Sequence, residues 1–217
     1  MDRKLIERLV ALEWEFFQAT RNEGGRAPCQ DNWETFRVMR TGQAMGWSEE
    51  MAAAWLSDLE AARAAGRNPV TEKYARMMAF TAPEAYAKLA HFLPPVEPEV
   101  EKLARALTDQ TVAWADAAAQ QYPYFCASGR PIHSSEDSAA DTSLETYCYG
   151  ELLTCRPETL RLFQRYYEEK ARRGENLYVE IETHIVHLMG YSSLEEAERK
   201  RFASSCSCCR SDPMQSG

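Results

Sequence analysis

The sequence has no long apolar run and no export signal. Of 217 residues, 45% are hydrophobic, yet no stretch approaches the ~20 apolar residues that a membrane-spanning helix needs. Charged residues recur throughout positions 1–8, where a signal peptide would have its basic start and apolar stretch. The seven cysteines are odd in number and irregularly spaced, which favours a reducing compartment. We therefore expect a cytoplasmic protein without a membrane partner.

Basic charge and familiar catalytic motifs are also scarce. The formal net charge is −8, which argues against nucleic acid as a partner, since such proteins need a basic face. The chain contains no phosphate-binding loop, dinucleotide fingerprint, nucleophile elbow or paired CxxC motif. Spacing alone therefore assigns neither a reaction nor a cofactor, and whether the chain is an enzyme stays open.

Strand patterns are missing, whereas helical periodicity is plentiful. Leu5, Leu9, Leu12 and Phe16 recur on one face of a first helix, and apolar alternation typical of strands is absent. We predict an all-α, compact array of about ten helices in a single domain, residues 1–203. Residues 204–217, which include Cys206, Cys208 and Cys209, are expected to form a flexible Cys-rich tail.

Several helix starts are predicted from capping boxes, in which a polar residue precedes a glutamate by three positions. The boxes are Asp31 with Glu34, Thr81 with Glu84, and Thr142 with Glu145. The first helix is expected to end before the paired glycines at 24 and 25, because glycine favours turn geometry.

The two halves of the chain, residues 1–93 and 98–203, read alike in order. Gly25-Arg26-Ala27 is echoed by Gly129-Arg130-Pro131, Glu34 by Glu145 and Gly66 by Gly174. One interpretation is an internal duplication, with the halves packed about a pseudo-twofold axis and both Gly-Arg loops facing one cavity. The alternative is chance, because glycine after a helix and glutamate near a helix start are common.

The first candidate loop spans residues 22–31. Arg26 offers a planar donor fork suited to a carboxylate or phosphate, and Gln30 is a second candidate ligand-binding side chain. Cys29 precedes a predicted helix start, where the helix dipole lowers a thiol pKa, so it is a candidate nucleophile. Alternatively, Cys29 is a small apolar core residue and Arg26 pairs with an acid.

The second candidate loop, residues 129–137, is long and polar, as functional loops often are. His133 can exchange a proton near neutral pH, while Glu136 and Asp137 are candidate bases or metal ligands. The alternative is a solvated connector in which Glu145 only closes its capping box.

Two metal sites are conceivable but disfavoured. Glu180, His184 and His187 share one helix face and could ligate iron or zinc, although a solvated polar face is the simpler interpretation. The cysteines of the tail could bind a soft metal, but the sequence fixes no fourth ligand.

Long strings of residues resemble DUF4125, an uncharacterised prokaryotic family. These strings are Trp14-Glu15, Asn22 to Gln30 with its paired glycines, Trp33 to Gln43, Glu72-Lys73-Tyr74-Ala75-Arg76-Met77-Met78, Thr81 to Tyr86, Arg130-Pro131-Ile132, Glu136-Asp137, Thr142 to Tyr147, Gly150-Glu151-Leu152 and Gly190 to Glu198. His133, Cys148 and Tyr149 depart from the pattern, the His184–His187 pair is not part of it, and the tail lies outside it.

The resemblance implies little about activity, but its pattern is rich in polar residues on both loops. It includes Arg26, Cys29, Gln30, Arg40, Arg130, Glu136, Asp137, Glu145 and Glu151. Our leading hypothesis is a cytosolic enzyme or small-molecule-binding protein with a polar pocket for an anionic ligand. The candidate catalytic residues are Cys29, Glu136, Asp137, Glu145 and Glu151; the candidate ligand-binding residues are Arg26, Gln30, Arg40, Arg130, His133 and Tyr147. A non-enzymatic helical scaffold that binds a protein partner, and a thiol-based redox or metal-handling protein, are the alternatives.

Overall fold

The computed structural model describes residues 2–21, 25–138 and 141–208. These ranges contain eleven α-helices and three short 3₁₀ turns, and no strand, so the all-α prediction is confirmed. The helices are α1 (Arg3–Ala19), α2 (Trp33–Met45), α3 (Glu49–Ala64), α4 (Pro69–Thr81), α5 (Pro83–Leu89), α6 (Pro98–Gln121), α7 (Pro123–Cys126), α8 (Leu144–Leu152), α9 (Pro157–Arg172), α10 (Leu177–Leu188) and α11 (Leu194–Cys208). The 3₁₀ turns are Pro28–Asp31, Ala90–Phe92 and Ser134–Glu136.

Three of the predicted capping boxes are not formed as expected. The N-cap of α2 is Asn32, whose side chain accepts a hydrogen bond from the Thr35 amide, because Asp31 ends a 3₁₀ turn and pairs with Arg26. The N-cap of α8 is Ser143 rather than Thr142. Thr81 is the last residue of α4, so α5 begins without a side-chain cap.

The two halves use the same packing scheme. In the first half α1 packs against α2, α3 and α4, and in the second half α6 packs against α8, α9 and α10. Between the halves, α2 packs on α10, α4 on α8, and α3 on α9. Exchanging each helix for its counterpart leaves this pattern unchanged, and one apolar core cluster spans both halves.

One pair of equivalent hydrogen bonds shows which residues of the two halves correspond. Asn68, the N-cap of α4, donates from its side-chain amide to the carbonyl of Phe16 at 2.9 Å, and Asn176, the N-cap of α10, donates to Trp114 at 2.9 Å. Both asparagines follow a glycine with positive φ, which ends the preceding helix. These parallels support a duplication of residues 1–93 and 98–203, which stays a prediction.

Glycines allow the helices of opposite halves to approach closely. A Cβ atom at Gly42 of α2 would lie 2.4 Å from Ile185 Cγ1 of α10, and one at Gly150 of α8 would lie 2.9 Å from Met77 Cγ of α4. Both glycines are therefore packing requirements between halves. Their close contacts hold α2 against α10 and α4 against α8.

Helix α11 continues to Cys208, so residues 204–208 of the predicted tail are helical. That the tail is flexible stays a prediction. Cys209 and the residues that follow it lie outside the described part of the chain. None of the described helices combines the length and apolar character required to cross a membrane.

Candidate functional site

Four charged side chains lie in the interior where the halves meet. They are Glu13 of α1, Arg40 of α2, Lys73 of α4 and Glu151 of α8. Their side chains are only 3%, 9%, 6% and 15% exposed. Since an unpaired buried charge is costly, the partners of these groups determine whether the site is stable.

Arg40 joins the two halves through both ends of its guanidinium. Its Nε donates to Glu13 Oε2 at 2.7 Å, and its Nη2 forms a second bond to the same carboxylate, as in a bidentate pair. Its Nη1 donates to Glu151 Oε1 at 3.1 Å and to Gln43 Oε1 at 2.7 Å. Trp55 Nε1 donates to Glu13 Oε1 at 2.7 Å, which completes the shell of that carboxylate.

Lys73 approaches Glu151 from the other side. Its Nζ donates to Glu151 Oε1 at 2.9 Å, and Gln43 Nε2 donates to Glu151 Oε2 at 3.3 Å. The same ammonium lies 3.3 Å from the centre of the Tyr147 ring and 5.7 Å from that of Tyr74. The four charges sum to zero, and cation–π contacts supplement the hydrogen bonds of Lys73.

The network fixes the charge states of its members. Burial alone would raise the pKa of Glu151, but attraction to Arg40 and Lys73 outweighs it and lowers that pKa to about 2. Burial likewise opposes the charged form of Lys73, yet the adjacent Glu151 carboxylate raises the lysine pKa above its ordinary value. Both groups therefore stay ionised across the neutral range.

A small cavity of about 30 Å³ lies beside this network, enough for about one water molecule. Its lining residues are Glu13, Phe17, Phe36, Arg40, Trp55, Leu59, Pro69, Val70, Lys73, Tyr74, Tyr147, Glu151 and Thr154. Both halves contribute lining residues, among them Tyr74 from the first and Tyr147 from the second.

The two predicted loops approach this cavity at its tyrosines. The Arg130 guanidinium lies 4.6 Å from the centre of the Tyr147 ring. Burial raises the pKa of Tyr74 to about 12, reinforced by Tyr147 and by the nearby thiol of Cys29, while Lys73 and Arg130 act in the opposite direction. One residue of each loop, Cys29 and Arg130, thus contributes to the pKa of Tyr74.

A family model described as a protein of unknown function, DUF4125, matches residues 3–199. The chain belongs to the DUF4125 family. No curated protein and no solved structure matches the chain. The resemblance predicted from the sequence is thereby confirmed, and the site has to be interpreted from its own geometry.

In this DUF4125 chain, two of the candidates in the first loop stabilise the loop itself. Arg26 donates to Asp31, Gln18 and the carbonyl of Gln30. Gln30 is 1% exposed; its amide nitrogen donates to the carbonyls of Phe17 and Thr20 at the end of α1. Neither Arg26 nor Gln30 lines the central cavity, and Arg130 is not among its lining residues either. The expectation that Arg26 and Arg130 face one cavity therefore gains no support from the lining and stays a prediction.

Two acidic candidates, Asp137 in the second loop and Glu145 on α8, join this loop to the start of α8. Asp137 accepts from the Ser143 amide at 2.6 Å, and Glu145 accepts from the Ser134 amide at 2.8 Å. Glu136 accepts from the His133 amide at 3.3 Å. These carboxylates have the contacts of loop anchors, so their predicted catalytic role gains no support from their positions.

His133 and Glu145 also bind groups on α6. His133 Nε2 lies 2.9 Å from Asp116 Oδ1, and Arg105 donates to Glu145 at 3.2 Å. Burial opposes ionisation of Glu145, but its bonds to Ser134 and the charge of Arg105 lower its pKa. These contacts lie away from the cavity lining.

Two of the α10 side chains considered, and disfavoured, as metal ligands have other partners. Lys170 Nζ donates to both oxygens of Glu180 at 2.8 and 2.7 Å, and His187 Nε2 lies 3.0 Å from the Ser192 carbonyl. Within the described ranges, no group of three or more His, Cys, Asp or Glu side chains is arranged to hold a metal ion. The side chains of Cys206, Cys208 and Cys209 lie outside those described, so the tail hypothesis remains a prediction.

Arg40, Tyr147 and Glu151 were among the candidate residues, but Glu13, Lys73 and Tyr74 were missed. A signal for two of them exists in the sequence. Glu13 follows Leu9 by four positions on the apolar face of α1, and Lys73 precedes Met77 by four on that of α4. A charge on an apolar helix face requires a buried partner, although the sequence does not show which one.

Proposed function

We propose that this protein binds a small molecule that carries an anionic group, at the mouth of the central cavity. One observation supports this proposal above all. Two cations, the buried Lys73 and the exposed Arg130, lie over the ring of Tyr147. Their fields add at this ring because both carry positive charge.

Arg130 is the cation available to a ligand. Its Nη1 donates to the Thr142 carbonyl at 3.1 Å, and no carboxylate in the described part of the chain pairs with it. A guanidinium has five N–H donors, so Arg130 keeps donors for a carboxylate or phosphate. Lys73 adds positive charge from below while bound to Glu151.

The site is better suited to binding than to proton transfer. Glu151 has its pKa lowered to about 2, whereas Tyr74 has its pKa raised to about 12, so neither exchanges a proton near pH 7. Lys73 stays protonated and is unsuited to attack a carbonyl as a free amine. An enzyme at this site would therefore rely on Cys29, an exposed thiol in the first loop.

A titration with anions tests the proposal. Inorganic phosphate and acetate are added separately to the purified full chain, and binding is followed by calorimetry and by the shift in melting temperature. We expect saturable binding of at least one anion, weakened at least tenfold in Arg130→Gln, because that variant removes the exposed cation.

Lys200→Gln is the matched control, since Lys200 lies 4.8 Å from the Tyr191 ring, remote in sequence from the cavity residues. It should bind the anion as the wild type does. Lys73→Met is a second variant that should also weaken anion binding. If it does not fold, the Arg130→Gln variant still tests the proposal, because Arg130 is exposed. Absence of saturable binding by either anion, or equal binding by Arg130→Gln, would overturn the proposal.

A further inference from the structure

The second half of the protein contains a larger cavity than the central site. It is an open groove of about 390 Å³ between α6 and α9, within the range typical of small-molecule sites. Its lining residues are Ala106, Leu107, Gln110, Gln164, Tyr167, Glu168, Ala171 and Arg172. None of them belongs to the central site.

The corresponding place in the first half, between α1 and α3, is filled. The paired asparagine bonds align Phe16 with Trp114, and the paired glycines align Gly66 with Gly174. By these alignments, positions in α6 follow their α1 counterparts by 98 residues, and positions in α9 follow their α3 counterparts by 108.

Apolar side chains and an ion pair close the first-half position. Leu12 and Leu56 are 6% and 5% exposed and belong to the main core. Above them Arg8 Nη2 donates to Glu60 Oε1 at 2.8 Å. An arginine side chain thus spans the space between α1 and α3 and ends on a carboxylate.

The second half changes three of these four residues. Gln110 and Gln164 stand where the first half has Leu12 and Leu56, and both line the groove. Ala106 stands at the position of Arg8, while Glu168 keeps the carboxylate of Glu60. The acid is therefore retained, but the cation that reaches it in the first half is absent, and the space of its side chain is open.

A new cation lies one turn further along α9. Arg172 occupies the position of Ala64 and follows Glu168 by four residues, so their Cβ atoms are ~6 Å apart. Neither Glu168 nor Arg172 forms an ion pair with any residue that the structure describes. The groove thus presents one free carboxylate, one free guanidinium and two amides above Leu107 and Tyr167.

We propose that this groove binds a small zwitterion of the amino-acid class. The cationic end of the ligand replaces the missing guanidinium on Glu168, and its carboxylate pairs with Arg172. Gln110 and Gln164 hydrogen-bond to polar atoms of the ligand between its two charged ends. The alkyl chain of the ligand lies over Leu107 and Tyr167. A ligand with both charges fits because the lining itself is neutral.

L-arginine is a suitable probe, since it carries the same guanidinium as Arg8 and also a free carboxylate. Its binding to the full chain is measured by calorimetry and by NMR chemical-shift changes. We expect saturable binding, with Nα-acetyl-L-argininamide, which lacks the carboxylate, at least tenfold weaker. Acetate supplies the anion alone and should leave the groove resonances unchanged. Equal binding of the acetylated amide would instead assign the groove to basic side chains of a partner and overturn the zwitterion proposal.

Two variants test the placement. Ala106→Arg should rebuild the first-half ion pair with Glu168, fill the groove and abolish binding while the melting temperature is kept or raised. Glu168→Gln, on the exposed surface, should weaken binding at least tenfold without unfolding. Arg8→Ala in the first half should leave binding unchanged, because Leu12 and Leu56 keep that place closed.

Arg130→Gln separates this groove from the central site. It should bind L-arginine as the wild type does, whatever its effect on simple anions. Absence of saturable L-arginine binding, undiminished binding in Ala106→Arg, or loss of binding in Arg130→Gln would each overturn the proposal.

Discussion

The two halves share a helical framework but differ in what they bury. Arg40 of α2 and Glu151 of α8 occupy corresponding positions, 111 residues apart, and bond to each other. Phe36 and Tyr147 are likewise 111 residues apart, and both line the central cavity. Residues near a twofold axis meet their own counterparts, so these pairs are what the duplication hypothesis predicts at the axis.

Around these shared positions the first half supplies more of the central charge than the second. Glu13 corresponds to Thr111, and Lys73 to Ile181. Three of the four central charges thus come from the first half. The difference teaches that the order and packing of the helices, the asparagine caps and the helix-ending glycines can be kept while the interior chemistry is replaced.

The largest effect is expected from breaking the contact between halves. Arg40→Met leaves Glu13 and Glu151 buried without their main cation, and loss of one partner of a buried ion pair costs ~3–5 kcal/mol. Urea unfolding should show this loss in the free energy of unfolding. Arg3→Ala, which breaks a pair on the surface of α1, should leave the transition in place. A loss below 1 kcal/mol for Arg40→Met would mean that the network is not buried as described.

The second prediction concerns Glu182, the counterpart of Tyr74. Burial raises the pKa of Glu182 to about 7, only partly offset by a hydrogen bond from Tyr178. Below the ordinary pKa of 4.5 both folded and unfolded chains hold the proton. Between 4.5 and 7 only the folded chain keeps it, so stability falls as pH rises through this window and levels off above 7.

Glu182→Gln removes this titration and therefore isolates its contribution. At pH 8 the variant should be more stable than the wild type by ~3 kcal/mol, and at pH 4.5 the difference should nearly vanish. Thermal unfolding from pH 4.5 to 8 measures both values. A constant difference at every pH would show that Glu182 is not desolvated in the folded protein.

The framework was predictable from the sequence because its signals are local. The apolar face of α1, the glycines at 66 and 174 and the prolines at several helix starts each act within a few residues. The N-caps of α2 and α8 each lie one residue after the predicted position, at Asn32 and Ser143. In both cases a residue of the predicted capping box has another partner: Asp31 pairs with Arg26, and Glu145 binds Ser134 and Arg105. Such competition is set by tertiary contacts and is not visible in local spacing.

The centre of the site was only partly predictable. Arg40 and Glu151 could be chosen as polar members of a resemblance, but their mutual contact joins residues 111 apart. Gln30 shows the reverse case: as a polar residue in a matched loop it is a candidate for ligand binding, yet its side-chain hydrogen bonds hold the end of α1. Which polar side chain faces a cavity is decided by packing, so sequence spacing alone could not separate the two roles.

A third prediction compares the glycine contacts of the two halves. Gly42→Ala places Cβ 2.4 Å from Ile185 Cγ1 and 3.1 Å from the Ile185 backbone nitrogen, and such overpacking costs ~1–3 kcal/mol. The gain in helix propensity offsets up to ~1 kcal/mol, so we expect a net loss of ~1–2 kcal/mol.

Gly150→Ala is the control for that comparison. Its nearest neighbour is Met77 Cγ at 2.9 Å, on a flexible side chain that can move. It should therefore cost less than Gly42→Ala in the same urea titration. The reverse order would show that α4 and α8 pack more rigidly than α2 and α10.

The smallest effect is the most direct test of equivalence. Asn68→Ala removes the N-cap of α4 and a hydrogen bond to α1, and Asn176→Ala removes the N-cap of α10 and a hydrogen bond to α6. We expect each variant to lose ~1 kcal/mol of unfolding free energy. Asn68 should cost slightly more, because its side-chain oxygen accepts from both Val70 and Thr71, whereas that of Asn176 accepts from Val179. Ser and Asp substitutions at either position should restore the cap but not the interhelical bond. If the halves are equivalent, Ser or Asp should restore the same fraction of the lost unfolding free energy at both positions. Unequal fractions would show that the two interhelical hydrogen bonds contribute differently to stability.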